Sequence, residues 1–141
     1  MSQMIEVKTA ELSGAALRWA VAQAEGLEVT IHPPAYGNGH RLAVNSRTEA
    51  YRPDMDWSQG GPLIEKYGVL LSPPKSMMHV CGGPNAGWQE TGQWGSTIFG
   101  RERKHRRACF DHKSNPLVAA MLAIVQFEFG DTVAVPAELL P

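Results

Sequence analysis

The chain has 141 residues, 43% of them apolar and 19% charged, with a formal charge of -1. Those figures exclude a disordered tail and a protein that grips nucleic acid through a whole-molecule basic field, and they leave room for one core of ordinary domain size. Fourteen Gly and 10 Pro favour short elements and long loops over a helical bundle.

In chain order, the start MSQMIEVKTAEL lacks the apolar stretch of a secretory signal, so the cell interior is the expected address. Thr9 to Glu25 reads as a first helix, with Thr9 or Ser13 as N-cap and Gly26 at its end. Leu17, Val21 and Ala24 form its apolar stripe. Leu27 to His32 alternates apolar and polar residues as a half-buried strand does, and Pro33-Pro34 stops it. A long surface loop follows, with a short strand around Leu42 to Val44. Pro62 to Tyr67 reads as a short helix with proline in its first turn and Gly68 at its end, before a strand at Val69 to Leu71. Ser76 to Val80 alternates weakly as a further strand, and Gly82 to Gly100, with six glycines and two tryptophans, reads as ordered loop. Asn115-Pro116 opens the clearest helix and Gly130 closes it. Its apolar residues occupy more than one face, so it is central or lies in an oligomer interface. Leu117 to Val125, the longest nearly unbroken apolar stretch, is about half of a membrane span, so no membrane partner is expected. Thr132 to Val135 is a last extended piece.

These elements predict one α+β domain over residues 1–141 with two main helices and long Gly/Pro-rich loops. The helices are expected to pack on a small, mostly antiparallel sheet. Its strands are Leu27 to His32, Val69 to Leu71 and the final segment.

No GxSxG, P-loop, HExxH or strand-to-helix GxGxxG is present, which counts against the commonest enzyme classes. The five histidines lie in separate segments, and Cys81 and Cys109 lack CxxC spacing, so neither a metal, a cofactor nor a disulfide is expected. His105, Cys109, Asp111 and His112 form a loose cluster that reads more readily as a surface loop than as a metal or nucleophilic site.

Asp54-Met55-Asp56-Trp57-Ser58-Gln59-Gly60-Gly61-Pro62 carries more information. A Gly-Gly pair ahead of a helix-opening proline can turn backbone amides toward one anion, with the helix dipole behind them. Trp57 offers a face for a base or sugar, Gln59 and Ser58 offer neutral hydrogen-bonding groups, and Asp54 or Asp56 suits ribose hydroxyls. The same residues also describe a capped turn in which Asp56 or Ser58 is the cap and Trp57 fills the core. Gly82-Gly83-Pro84 repeats the element beside Trp88 and suits a pocket wall, or a glycine loop laid over the core. Arg101 to Arg107 holds five of the 13 basic residues, among them Arg101, Arg103 and Arg106, which suit phosphate as well as a solvated edge.

Three blocks, TAELSGAALRWAVAQAEG, YRPDMDWSQGGPLIEKYGV and NPLVAAMLAIVQFEFGDTVAVPAEL, resemble the NinX-like family of small tailed-phage proteins. The most specific pattern, DWxQGGPxIE, is carried by Asp56, Trp57, Gln59, Gly60, Gly61, Pro62, Ile64 and Glu65. The resemblance implies a phage or prophage origin and the cytoplasm of a bacterial host, but no reaction. By analogy of setting with small phage proteins that sequester nucleotide immune signals, the expected activity is binding of an anionic nucleotide or ADP-ribose-like molecule. Asp54, Asp56, Trp57, Gln59, Gly60, Gly61, Trp88, Arg101, Arg103 and Arg106 would form the site, completed if needed by a homo-oligomer interface. Two other classes stay open. One is an enzyme using His79 or His112 with Asp111 or Glu65. The other is a module that contacts a host protein, or less readily a nucleic acid, through the basic run.

Overall fold

The computed structural model describes residues 3–34, 39–75, 77–84, 86–90, 92–99, 108–112 and 115–140, with 78–80 and 108–112 as strand backbone. The chain is built around its most apolar helix, α3 (Pro116–Phe129), in which Leu117 and every residue from 119 to 125 are buried. The Asn115 side chain caps it by accepting from the backbone amides of Leu117 at 2.9 Å and Val118 at 3.4 Å, and Pro116 opens it. At the other end the Thr9 hydroxyl donates to the carbonyl of Gly130 at 2.7 Å, satisfying an acceptor at the helix end. Thr9, expected to begin the first helix, therefore serves the last one. The chain runs through a 3-10 turn at Thr9–Glu11 and an extended Leu12-Ser13 before α1 (Gly14–Ala24) begins.

Helix α1 lays Ala16, Leu17, Ala20 and Val21 into the core against α3. A second helix, α2 (Trp57–Tyr67), starts five residues earlier than its proline suggests and ends on left-handed Gly68. The described residues thus hold the three helices expected, with α2 as long as α1 rather than a short one.

The α+β class holds, but the expected single sheet does not form. Among the described residues nine short strands are distributed over four antiparallel sheets. β1 (Met4–Lys8) pairs with β9 (Thr132–Pro136), and β2 (Val29–His32) with β3 (Arg41–Val44). β4 (Leu70–Ser72), β7 (Trp94–Ile98) and β8 (Ala108–His112) form the one three-stranded sheet, with β7 central. β5 (Met77–Val80) and β6 (Gly87–Glu90) form a hairpin. The three strands expected to lie side by side therefore belong to three different sheets. Their alternation reports one buried face each; it carries no information on which strand lies alongside.

The segment read as ordered loop contains β6 and β7, because Gly87 and Gly95 interrupt the alternation that would reveal them. Ser96 in β7 is fully buried, and its hydroxyl donates to the Ala119 carbonyl at 2.6 Å, which docks the sheet on α3. Among the described residues no helix is long and apolar enough to cross a membrane.

Met121 has no exposed surface. Met121→Asp is expected to cost about 3 kcal/mol or more and to lower Tm by roughly 10 °C, because it buries a charge without a partner. Thermal unfolding followed by circular dichroism measures this.

Candidate functional site

Asp56 is the N-cap of α2: its carboxylate accepts from the Ser58 amide at 2.9 Å and from the Ser58 hydroxyl at 2.6 Å. The hydroxyl bond first, and the amide bond second, hold its carboxyl below the usual carboxylate range. Gly60 and Gly61 consequently lie inside the first turns of a helix rather than in a turn ahead of one. The Gly60 amide donates to the Asp56 carbonyl at 2.8 Å, so it is committed to the helix and is not turned toward an anion.

The two glycines do different things. A Cβ on Gly60 would collide with the Pro53 carbonyl and lie 2.8 Å from Leu117 Cδ2, whereas one on Gly61 would meet nothing within 4 Å. Glycine at position 60 is what lets α2 approach the 50–56 loop and α3 this closely.

That loop is tied from every side. The Arg18 Nε donates to Asp54 Oδ1 at 2.7 Å and its Nη2 to Oδ2 at 3.4 Å, and Asp54 is only 4% exposed. The Asn115 side chain, already capping α3, donates to the Asp54 carbonyl at 3.3 Å. Gln59 spans the loop: its Nε2 donates to the Ala50 carbonyl at 2.9 Å and its Oε1 accepts from the Arg52 amide at 2.6 Å. Asp54 and Gln59, expected to face a ligand, thus spend these polar atoms on holding α1, α2 and α3 to one loop. Trp57, on the outer side of the α2 N-terminus, is 55% exposed and does not fill the core.

Beside this junction is a cleft of about 260 Å³. One wall is α2, through Ser58, Gln59 and Leu63; the others are Glu25 and Leu27 after α1, and the Val44 to Tyr51 segment. Asn45 and Ser46 both have positive φ, 51° and 61°. With the Arg47 amide donating to the Val44 carbonyl at 3.0 Å they make a type I′ turn. The segment is closed by the Tyr51 amide, which donates to the Leu42 carbonyl at 2.7 Å, and by Arg41, whose Nη1 donates to the Thr48 carbonyl at 3.2 Å.

Charge in the cleft is unevenly compensated. Glu25 accepts from Lys66 Nζ at 2.6 Å and from the Tyr67 hydroxyl at 2.8 Å. Arg47 and Glu49 line the same cleft and have no ion-pair partner among the described residues. Tyr51 and Tyr67 are both pushed above the usual phenol range, first by burial and then by Glu25, through its charge on Tyr51 and chiefly its hydrogen bond on Tyr67. No local pattern marks Arg47, Glu49 or Tyr51; only the folding back of residues 45–51 over α2 brings them to Gln59.

The remaining expected site residues do not converge here. Trp88 sits in β6, 68% exposed, within the β5–β6 hairpin whose connection carries Gly82 and Gly83 at φ of +79° and +78°. The second GGP element is therefore a true left-handed turn, unlike the first. Arg101, Arg103 and Arg106 lie outside the described residues, as do the side chains of His79, Asp111 and His112. Glu65 is exposed on α2.

Two predictions follow from this geometry. Gly60→Ala should cost about 2–3 kcal/mol through overpacking, while Gly61→Ala should be neutral or stabilise α2 by up to about 1 kcal/mol. Denaturant melts of the two variants test the contrast. Because the Tyr51 and Tyr67 phenols are raised in the folded chain, unfolded tyrosine ionises first. The stability they contribute is complete below about pH 10 and declines as pH rises beyond it. Alkaline unfolding should therefore shift to lower pH in denaturant, with phenolate absorbance appearing together with loss of helix.

No curated protein matches the chain. A family model described as Bacteriophage P22, NinX matches residues 8–127, which include α1, the loop junction, α2 and most of α3. The chain therefore belongs to the NinX family of bacteriophage proteins.

Proposed function

We propose that this phage accessory protein binds a small nucleotide-like anion in the α2 cleft and holds it without turnover. The observation that carries the reading is the cleft of about 260 Å³ in which Arg47 and Glu49 stand, without ion-pair partners among the described residues, beside a buried tyrosine. That volume is near the lower end for small-molecule sites and suits a nucleoside-sized body with its phosphate toward solvent. Arg47 supplies the guanidinium for phosphate, and Glu49 accepts from ribose hydroxyls or a base amine. Tyr51 and Leu63 give the apolar wall, and the exposed Trp57 ring, one residue from the cleft wall, is available to stack.

Binding is favoured over catalysis by the state of Ser58, the aliphatic hydroxyl in the cleft wall. Its proton is directed at Asp56, whose depressed carboxyl is a weak base. Arg47 and Glu49 are expected to replace Gly60 and Asp54 in the ligand-holding roles, since the Gly60 amide and the Asp54 carboxylate are committed to the fold.

The test is mass spectrometry of small molecules released by heating protein purified from phage-challenged bacteria, followed by titration of ADP-ribose and mononucleotides by calorimetry. A phosphorylated nucleoside recovered unchanged is expected, with affinity at least about tenfold weaker in Arg47→Ala at unchanged Tm. Absence of any released or titrating nucleotide overturns the reading. Consumption of the ligand replaces it with catalysis.

A further inference from the structure

The pairing of β1 with β9 leaves a specific set of backbone groups without partners among the described residues. The register runs Met4↔Pro136 to Lys8↔Thr132, and it is extended by the Ala137 amide donating to the Gln3 carbonyl at 2.7 Å and the Thr9 amide donating to the Asp131 carbonyl at 2.8 Å. In an antiparallel ladder the hydrogen-bonded pairs alternate, so Gln3, Ile5, Val7 and Thr9 face β9. The amides and carbonyls of Met4, Glu6 and Lys8 therefore point away along the open edge. This two-stranded sheet gains no third strand among the described residues, although two strands alone are marginal. On the opposite edge of β9, Pro136 has no amide to offer, which leaves β1 as the edge able to accept a strand.

The side chains of β1 say what strand fits. Met4 and Ile5 are 48% and 37% exposed, while Val7 packs partly on the core. Glu6 and Lys8 lie on the other face of the strand with no ion pair among the described residues. We propose that β1 joins the β1 of a second copy of this chain, antiparallel about a two-fold axis at Val7. This register sets Glu6 opposite Lys8 of the second copy and Lys8 opposite its Glu6, as two hydrogen-bonded, oppositely charged pairs. Val7 meets its own equivalent, and Ile5 continues the apolar row on the core face. Centring on Glu6 instead would place Glu6 against Glu6, and centring on Ile5 would leave Lys8 beyond the pairing. Charge thus selects one register, and the product is a four-stranded sheet across the dimer. The inference stands apart from the ligand reading, since β1 is not part of the cleft.

Size-exclusion chromatography with light scattering and sedimentation velocity test it on the full chain. The parent should be a dimer. Glu6→Lys and Lys8→Glu should each weaken dimerisation at least about tenfold, while keeping the parent's circular dichroism. Mixing those two variants in equal amounts should restore a dimer, and so should the double exchange Glu6→Lys with Lys8→Glu. A monomeric parent at high concentration overturns the proposal. So do single variants that dimerise like the parent, or a mixture and a double exchange that both stay monomeric.

Discussion

The seating of Gly60 against the Pro53 carbonyl and Leu117 is the contact on which the arrangement of helices depends. A helix axis can come this near to a backbone carbonyl only where no Cβ intervenes, and the approach puts the loop between β3 and α2 within reach of all three helices. From there the polar links follow: Arg18 from α1 to the Asp54 carboxylate, Asn115 from the head of α3 to the Asp54 carbonyl, Gln59 from α2 to the loop backbone. The buried carboxylate of Asp54 needs its guanidinium, because a lone charge there would be left uncompensated. Asp56, Gln59 and Gly60 thus serve the architecture of this junction.

The cleft is a by-product of that device. With residues 50–52 clasped by Gln59 and the segment before them turned back at Asn45-Ser46, a gap remains between the loop and α2 that neither covers. Two consecutive non-glycine residues with positive φ carry a backbone cost of order 1 kcal/mol or more each. That cost places Arg47 and Glu49 at the rim. The Glu25, Lys66 and Tyr67 cluster closes the far end by joining the C-termini of α1 and α2.

Helix α3 organises everything else because it is apolar on all sides. A helix with only one apolar stripe needs one partner surface; this one needs several, and it takes α1, α2, the three-stranded sheet and the Thr9 turn. Small separate sheets suffice in place of one large sheet because β3, β7 and β9 each bury apolar residues against the helices, so these strands need not be neighbours.

Local sequence was enough for what depends on local chemistry. Asn115-Pro116 and Gly130 marked both ends of α3, and the apolar residues all round it announced a central helix. Alternation over Leu27 to His32 marked a strand, which forms at Val29–His32, and Asp56 was legible as a cap. What local chemistry does not reveal is a partner far along the chain. Gly60-Gly61-Pro62 has the composition of an open turn, and only the nearness of Pro53 and Leu117 makes Gly60 a packing residue within a helix. Asp54 looks like a ligand acceptor until Arg18, far earlier in the chain, is found against it. Strand partners and the cleft residues Arg47, Glu49 and Tyr51 were likewise decided by tertiary structure. Periodicity records that a side chain is buried, whereas the identity of the surface that buries it is set by how the whole chain closes.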